Sequence, residues 1–378
     1  MEEGEIGIRI KNITKSYEKK TVLDNLSLEI EKGSFTTILA PTGSGKTTLL
    51  RVMIGITRPD NGKVYYNGKN VTDVPVQKRS VSMVYQQFIN YPSLTIYENI
   101  ASPLRVSGRK LSESEIDKKV RDNARIVGIS DLLDHLPEEV SGGEKQRTAI
   151  ARALCKEPEF VFLDEPLANL DYKLREKLRG ELKTILRKKQ CTVIYATPEP
   201  GDALAMSTHV AFLHKGKILQ FGPAQEVYWN PKYVEVASYF NEPPMNVFDC
   251  GLVIENGNYY LQVSQKLKIN VNGFKNLLSE GRYLIGIRPQ NLSTTKVKEG
   301  MISFKSTVEF AEIVGSDTTL HLTHQGKDLS ILIEKPTRSY EIGQEIEVYL
   351  DPRSVYIYSK KSRKLIVKGQ AMGSMTEI

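Results

Sequence analysis

Apolar residues cluster or alternate in strand fashion at residues 6–10 and 26–30, and a Lys32-Gly33 turn leads into the run Phe35-Thr-Thr-Ile-Leu39. A short apolar run bounded by turn residues predicts a buried strand. Helix is predicted from Thr47 through about Ile54, after which Arg58-Pro-Asp-Asn-Gly62 and Tyr66-Asn-Gly68 place turns around two short strands. From about Tyr97 to Arg152 the sequence becomes charged with a helical period, and Leu111-Ser-Glu-Ser-Glu115 offers an N-cap followed by first-turn acids. This reads as a helical insertion, at about residues 90–152, in an α/β core. The core resumes with strand Phe160 to Leu163, a helix from Leu174 to Lys188, strand Thr192 to Tyr195, a helix near Asp202, and strands Val210 to Leu213 and Lys217 to Gln220. Strands alternating with helices predict a parallel sheet covered on both faces. After Asn241-Glu-Pro-Pro244 the helical signal fades. Short strands at Tyr259 to Val263, Tyr283 to Ile287, Ser306 to Glu312, Thr318 to Leu322, Leu329 to Ile333, Glu345 to Leu350 and Val355 to Tyr358 predict a small all-β barrel. The division is therefore expected between an α/β domain at 1–240 and an all-β domain at 241–378.

Composition agrees with two domains: the chain has 378 residues, 40% of them hydrophobic and 26% charged. No apolar run approaches the roughly 20 residues that span a bilayer, and the acidic start Met1-Glu-Glu-Gly-Glu-Ile is unlike a secretory leader. A cytosolic chain, held at a membrane only by partners, is expected. The net charge of +7 would suit ATP, an anionic membrane surface or nucleic acid. Its basic runs, Arg187-Lys-Lys189 and Lys360-Lys-Ser-Arg-Lys364, are short, which favours solvated surface over a nucleic-acid footprint. Cys155, Cys191 and Cys250 have no metal-ligand spacing and read as reduced, buried thiols.

Three stretches carry chemistry. Ala40-Pro-Thr-Gly-Ser-Gly-Lys-Thr-Thr48 lies at a predicted strand-to-helix turn, where Thr42, Gly43, Ser44 and Gly45 let backbone N–H groups curl around phosphates. Lys46, Thr47 and Thr48 then stand ready for phosphate oxygens and magnesium. The strict phosphate-loop pattern expects glycine at Ala40, and a methyl is harmless there if the backbone has negative φ. Phe160-Val-Phe-Leu-Asp-Glu-Pro166 delivers Asp164 and Glu165 to a strand end, where such a sheet places its ligands. Asp164 would hold magnesium through water and Glu165 would polarise the attacking water. Ser141-Gly-Gly-Glu144 opens a second helix whose hydroxyl and first amides form an expected anion site.

Over roughly residues 6–240 a phosphate loop, a glutamine loop at Val84-Tyr-Gln-Gln87, the Ser-Gly-Gly helix, the Asp-Glu strand and Ala168-Asn-Leu-Asp171 follow in order, and the chain resembles the ATP-binding subunits of ABC transporters. The resemblance implies a P-loop NTPase core of the ABC ATPase type that uses ATP and Mg2+. Two such subunits face each other head to tail, each ATP lying between one phosphate loop and the other subunit's Ser141, Gly142, Gly143 and Glu144. It further implies that Tyr17 stacks on adenine and that Gln86 senses magnesium and the attacking water. Asp171 would lie in a loop crossing the dimer seam. Catalysis falls to Glu165, Gln86 and Lys46, and magnesium to Thr47, Gln86 and Asp164.

Tyr91-Pro-Ser-Leu-Thr-Ile-Tyr-Glu-Asn99 is similar to the stretch that receives a permease helix in importers of the maltose and glycerol-phosphate type. Gly286-Ile-Arg-Pro-Gln290, Val308-Glu-Phe-Ala-Glu-Ile-Val-Gly-Ser316 and Asp351-Pro-Arg-Ser354 resemble landmarks of that group's C-terminal OB-like (TOBE-type) domain, used for regulation and dimer contacts. The implied protein is peripheral, on the cytoplasmic face of the membrane. Its partners are permease subunits, a second ABC ATPase and, indirectly, an extracytoplasmic solute-binding protein, with no nucleic acid.

One departure stands out. Members of the family usually carry Thr-His-Asp after the strand at Thr192 to Tyr195, and the histidine meets the γ-phosphate; here Ala196-Thr-Pro-Glu-Pro200 follows, with Pro198 at the histidine position and Glu199 at the aspartate. Proline brings no imidazole and no N–H, and a glutamate beside a triphosphate repels it. Loss of one positioned donor costs roughly 3 kcal/mol, a rate factor on the order of a hundred to a thousand. Either the chain completes the competent site of a related ATPase while its own turns over slowly, or two copies pair and hydrolyse ATP with Glu165 and Gln86. A different class, a regulatory subunit that closes on ATP without hydrolysis, is the alternative.

Overall fold

The computed structural model describes residues 5–87, 89–106, 111–168, 172–189, 191–279 and 281–369. The chain divides into two compact units, Met1–Gln225 and Glu226–Ile378.

The first unit begins with a hairpin, β1 (Ile6–Tyr17) and β2 (Lys20–Glu31), then runs through β3 (Phe35–Leu39), α1 (Lys46–Ile54), β4 (Asn61–Tyr66), β5 (Lys69–Asn70) and β6 (Val81–Val84). Helices α2 (Ile96–Arg105), α3 (Glu113–Val127) and α4 (Gly142–Cys155) follow, then β7 (Phe160–Asp164), α5 (Tyr172–Lys188), β8 (Thr192–Thr197), α6 (Pro200–Met206), β9 (His209–His214) and β10 (Lys217–Pro223). An antiparallel sheet has the order β2-β1-β4-β5, and the central sheet the order β10-β9-β3-β8-β7-β6. Every central pairing is parallel except that of β10 with β9.

All residues of β3, β7 and β8 are buried, and their period of two is hidden because both faces are covered. Phe160, Phe162, Ile194 and Ala196 point into one apolar cluster with α1 and the antiparallel sheet. Val161, Leu163, Val193 and Tyr195 enter another with α2 to α5. The helical insertion is held by capping boxes, Thr95 with Glu98 on α2 and Ser112 with Glu115 on α3, the second of which was visible in the sequence.

In the second unit α7 (Ala224–Trp229), which begins just ahead of the division, and α8 (Val234–Tyr239) precede β11 (Asn246–Glu255), β12 (Asn258–Gln262), β13 (Lys268–Asn270), β14 (Arg282–Ile287) and β15 (Leu292–Ser293). Strands β16 (Ile302–Val314), β17 (Asp317–His324), β18 (Lys327–Ile333), β19 (Glu345–Leu350), β20 (Tyr356–Ser359) and β21 (Leu365–Lys368) complete it. Two antiparallel sheets, β13-β12-β11-β14-β20-β21 and β15-β19-β16-β17-β18, enclose one apolar core that includes Phe248, Ile285, Leu320, Ile331 and Val348. Residues 226–240 belong to this unit, not to the α/β unit with which the sequence grouped them. Val234 and Ala237 share an apolar cluster with Leu284, Tyr356 and Tyr358, and Tyr233 bridges to Lys364. Strand β11 escaped the sequence reading because Asp249 and Gly251 interrupt it; Asp249 pairs with Lys360 and, at 3.7 Å, with Arg282.

Candidate nucleotide site

The phosphate loop leaves the buried strand β3 and enters α1 through two left-handed glycines, Gly43 at φ 78° and Gly45 at φ 98°. Gly45 is the N-cap of α1, without a side-chain cap, and no acidic residue stands in the first turn. A Cβ on Gly45 would come within 2.9 Å of Val22 Cγ1 and 3.2 Å of the Val22 carbonyl, so both conformation and space demand glycine there. Ser44 N–H donates to the Pro41 carbonyl at 3.2 Å, and Thr48 lies in the first turn of α1. Ala40 does not adopt positive φ, and its methyl lies in the apolar cluster beneath the loop. The departure from glycine is therefore free of backbone strain.

Lys46 is 3% exposed, and its ammonium donates to the carbonyls of Ala40 at 2.9 Å and Pro41 at 3.1 Å while pairing with Glu165 Oε1 at 3.1 Å. Thr47 Oγ1 donates to Asp164 Oδ1 at 3.0 Å. Burial pushes the Asp164 carboxyl up, partly countered by the Thr47 hydrogen bond. Asp164 and Glu165 are adjacent yet serve different partners because the chain turns sharply between them. Glu165 has φ 48°, left-handed for a residue with a Cβ, and its N–H donates to the Ala196 carbonyl at 2.9 Å. An uncapped helix start, a buried ammonium and a hydroxyl–carboxylate pair fit a triphosphate with a hard divalent cation such as Mg2+.

Thr42, Gln86, Glu165, Arg175, Pro198 and Glu199 line a cavity of about 220 Å³. Gln86 follows β6 and is exposed. Glu199, which the sequence reading set against a triphosphate, is paired with Arg175 of α5 at 3.2 Å, so its charge is met within the chain. Behind it, buried Asp202 accepts hydrogen bonds from Tyr195 Oη at 2.9 Å, Thr197 Oγ1 at 3.2 Å and Arg179 Nε at 2.9 Å. This network fixes the turn from β8 into α6, which Pro200 opens. The sequence reading missed Arg175, Arg179 and Asp202. The four-residue spacing of the two arginines on α5 was the available signal.

Other expected site residues lie elsewhere. Tyr17, 46% exposed, ends β1 at the hairpin whose second strand approaches Gly45 through Val22. Ser141, Gly142, Gly143 and Glu144 start α4, and none of them lines the cavity. At the start of α4 the Ser141 hydroxyl, one element of the expected anion site, is engaged by the chain's own carboxylate. Ser141 N–H and Oγ both donate to Glu144 Oε2 at 2.8 Å, and the Glu144 N–H returns to Ser141 Oγ at 3.4 Å. The motif Ser-x-x-Glu is itself a capping box. Gln146 of the same helix donates to the Pro166 carbonyl at 2.6 Å, tying α4 to the segment after Glu165. Asp171 lies outside the described residues. Cys155, Cys191 and Cys250 are free and buried, and burial pushes their thiols up, Cys155 to about 11. Among the described residues no group of three or more His, Cys, Asp or Glu is placed to hold a metal, and no helix is long and apolar enough to cross a membrane.

Residues 23–168 match the family model for the ABC transporter, and residues 285–357 match that for the TOBE domain. The trehalose/maltose import ATP-binding protein MalK of Thermococcus litoralis is 35% identical over 376 residues, which cover 95% of this chain and 99% of that one. The spermidine/putrescine import ATP-binding protein PotA of Clostridioides difficile is 35% identical over 355 residues, 94% of this chain and 98% of the relative. Among solved structures, the ATP-binding cassette MJ0796, seen as a dimer in a post-hydrolysis state with ADP and Pi, is 30% identical with a TM-score of 0.52, over 57% of this chain and 98% of that one. The fold is thus the ABC ATPase phosphate-loop fold followed by an OB-like TOBE domain, and the chain belongs to the ATP-binding subunits of ABC importers, ATPases coupled to transport.

Proposed function

We propose that this chain binds and hydrolyses ATP to drive a membrane importer for a sugar, polyol or related solute, working as one half of a pair with a related ABC ATPase. The observation that carries the reading is the convergence of Thr42, Gln86, Glu165 and Pro198 on one cavity beside Lys46 and the Thr47–Asp164 pair. Lys46 donates to phosphate oxygens once it turns from Glu165, and Glu165 then accepts a hydrogen bond from the attacking water. Gln86 orients that water. Magnesium, held by Thr47 and Asp164 with Gln86 beside it, would neutralise charge on the phosphate oxygens. Tyr17 offers a face to adenine, while Ser141 and the amides of Gly142, Gly143 and Glu144 complete the partner's ATP site.

Without a histidine at Pro198, the chain's own site loses one donor to the developing charge and turns over slowly. Arg175 spares the site the repulsion of Glu199 but is engaged in doing so. The domain roles follow: the first unit, through Gln225, would form the ATP-binding domain, and the second a regulatory and dimerisation domain. A permease helix would dock near Ile89 and Tyr91, both about half exposed; Arg152 stacks on the Tyr91 ring at 5.0 Å, and buried Asn99 holds that turn through bonds to Tyr91, Leu94 and Thr95. Membrane attachment would then come through the permease, on its cytoplasmic side, with a solute-binding protein acting outside.

The sugar reading is favoured by the MalK relative and by the C-terminal landmarks. PotA, at the same identity, favours a polyamine reading. Uptake of radiolabelled maltose and of spermidine by cells with and without the gene separates them. Loss of maltose uptake alone supports the first, and loss of spermidine uptake alone the second.

A further inference from the structure

The second unit contains a cavity of about 520 Å³, larger than the one beside Glu165, whose lining includes Trp229, Arg288, Lys298, Arg353, Tyr356 and Lys368. Two of the C-terminal landmarks converge on it: Arg288 from Gly286-Ile-Arg-Pro-Gln290, and Asp351 with Arg353 from Asp351-Pro-Arg-Ser354. Its size falls within the range of small-molecule sites.

Arg288 is 2% exposed. Its Nη2 donates to the Tyr228 carbonyl, while Nε and Nη1 have no hydrogen-bond acceptor among the described residues. Its guanidinium lies 4.0 Å from the ring centre of Tyr228, 5.5 Å from Tyr356 and 5.6 Å from Trp229. Aromatic faces recover part of the hydration that such a buried cation gives up, but they leave its charge uncompensated. The one acid in the lining, Asp351, is already taken: Arg353 holds it through two parallel bonds of 3.0 and 3.1 Å. The lining thus holds four cations, Arg288, Lys298, Arg353 and Lys368, against the single carboxylate of Asp351, whose charge Lys298 also feels. Lys368 donates to the Trp229 carbonyl at 3.2 Å, and burial, then the charge of Arg288, hold its ammonium below the ordinary lysine range.

Four cations against one carboxylate leave an excess of positive charge that calls for an oxyanion carrying more than one negative charge, which phosphate supplies and a single carboxylate does not. Beside them Trp229, 52% exposed, offers an apolar face on which a ring can lie. We propose that this cavity binds a small phosphorylated metabolite with a ring, such as a sugar phosphate. Arg288, Lys298 and Lys368 would receive the phosphate, and Trp229 the ring. The site owes nothing to the phosphate loop, so its fate is separate from that of the ATPase reading.

Trp229 is the only tryptophan in the chain, so its fluorescence reports on this cavity alone. The full chain is titrated with glucose 6-phosphate, glucose and inorganic phosphate, together with its Lys46→Ala, Lys298→Glu and Lys368→Gln forms. The expected result is a saturable change with glucose 6-phosphate, retained in Lys46→Ala and weakened about tenfold or more in each of the other two variants. Glucose should give no change, and inorganic phosphate should bind the same site more weakly. Lys298 is exposed, so its variant remains informative even if substitutions at buried Arg288 fail to fold. No saturable change into the millimolar range, an equal response to glucose, or unaltered affinity in Lys298→Glu and Lys368→Gln would overturn the proposal. Inorganic phosphate binding as tightly as the ester would overturn the role of the ring.

Discussion

Two helices of the first unit begin with glycine-rich turns, and they meet the same electrostatic problem in opposite ways. The start of α1 is left open: Gly45 has no capping side chain, no acid stands in the first turn, and a buried lysine adds positive charge. The start of α4 is closed by the reciprocal bonds of Ser141 and Glu144. A helix N-terminus attracts anions through its unpaired N–H groups, so an acid of the chain's own is the natural competitor of a ligand there. Of the two, α1 is the one whose N-terminal N–H groups stand ready for an anion as the chain is folded. At α4 the Ser141 hydroxyl must turn from Glu144 before it can serve a nucleotide.

The largest expected effects lie at α1 and the carboxylates facing it. Lys46→Ala should abolish tight nucleotide binding. Glu165→Gln should leave binding in place while lowering hydrolysis on the order of a hundredfold or more, since on the proposed reading it removes only the group that polarises water. Fluorescent-nucleotide titration and phosphate release read the two separately, and an unaffected rate in Glu165→Gln would break the catalytic assignment. Next comes Pro198→His, expected to raise turnover by on the order of a hundredfold, within the limit set by about 3 kcal/mol for one donor.

Smaller effects distinguish the two helix starts. Gly45→Ala must place a Cβ at φ 98° against Val22, and should lower stability by more than about 1 kcal/mol in chemical denaturation. Ser141→Ala removes a cap and should cost about 1 kcal/mol. A larger loss from Ser141→Ala than from Gly45→Ala would reverse the comparison. The smallest effect is one of pH. Hydrogen bonds from the Ser141 N–H and hydroxyl hold the Glu144 carboxyl below the ordinary glutamate range. A depressed carboxylate contributes stability above its unfolded value and loses it as pH falls through the lowered one. Amide chemical shifts at Gly142, Gly143 and Glu144 should therefore titrate in acid, with no matching step at the start of α1.

Much of this was visible in the residues. Lys46, Asp164 and Glu165 lie within short contiguous motifs, and a strand-to-helix turn leaves few places for their side chains. The all-β character of the second unit followed from strands bounded by turn residues, but β11 did not, since Asp249 and Gly251 break its pattern and the ion pairs that accommodate Asp249 are tertiary. The Arg175–Glu199 pair was hidden for a related reason, joining α5 to the start of α6 across 24 residues of sequence. Ser141 to Glu144 is legible only in part, because one motif serves both as capping box and as anion site; sequence shows the residues, not which partner holds them. The placement of residues 226–240 was lost to contacts with strands more than a hundred residues away, such as Ala237 with Tyr356.

Steady-state ATP hydrolysis by the full chain, at concentrations that allow pairing, beside its Glu165→Gln and Pro198→His forms, is the most direct test. The expected result is slow turnover that Glu165→Gln removes and Pro198→His raises by on the order of a hundredfold. Rapid turnover that Pro198→His does not raise would show a site complete as it stands and contradict the pairing with a second ATPase; turnover indifferent to Glu165→Gln would contradict the site itself.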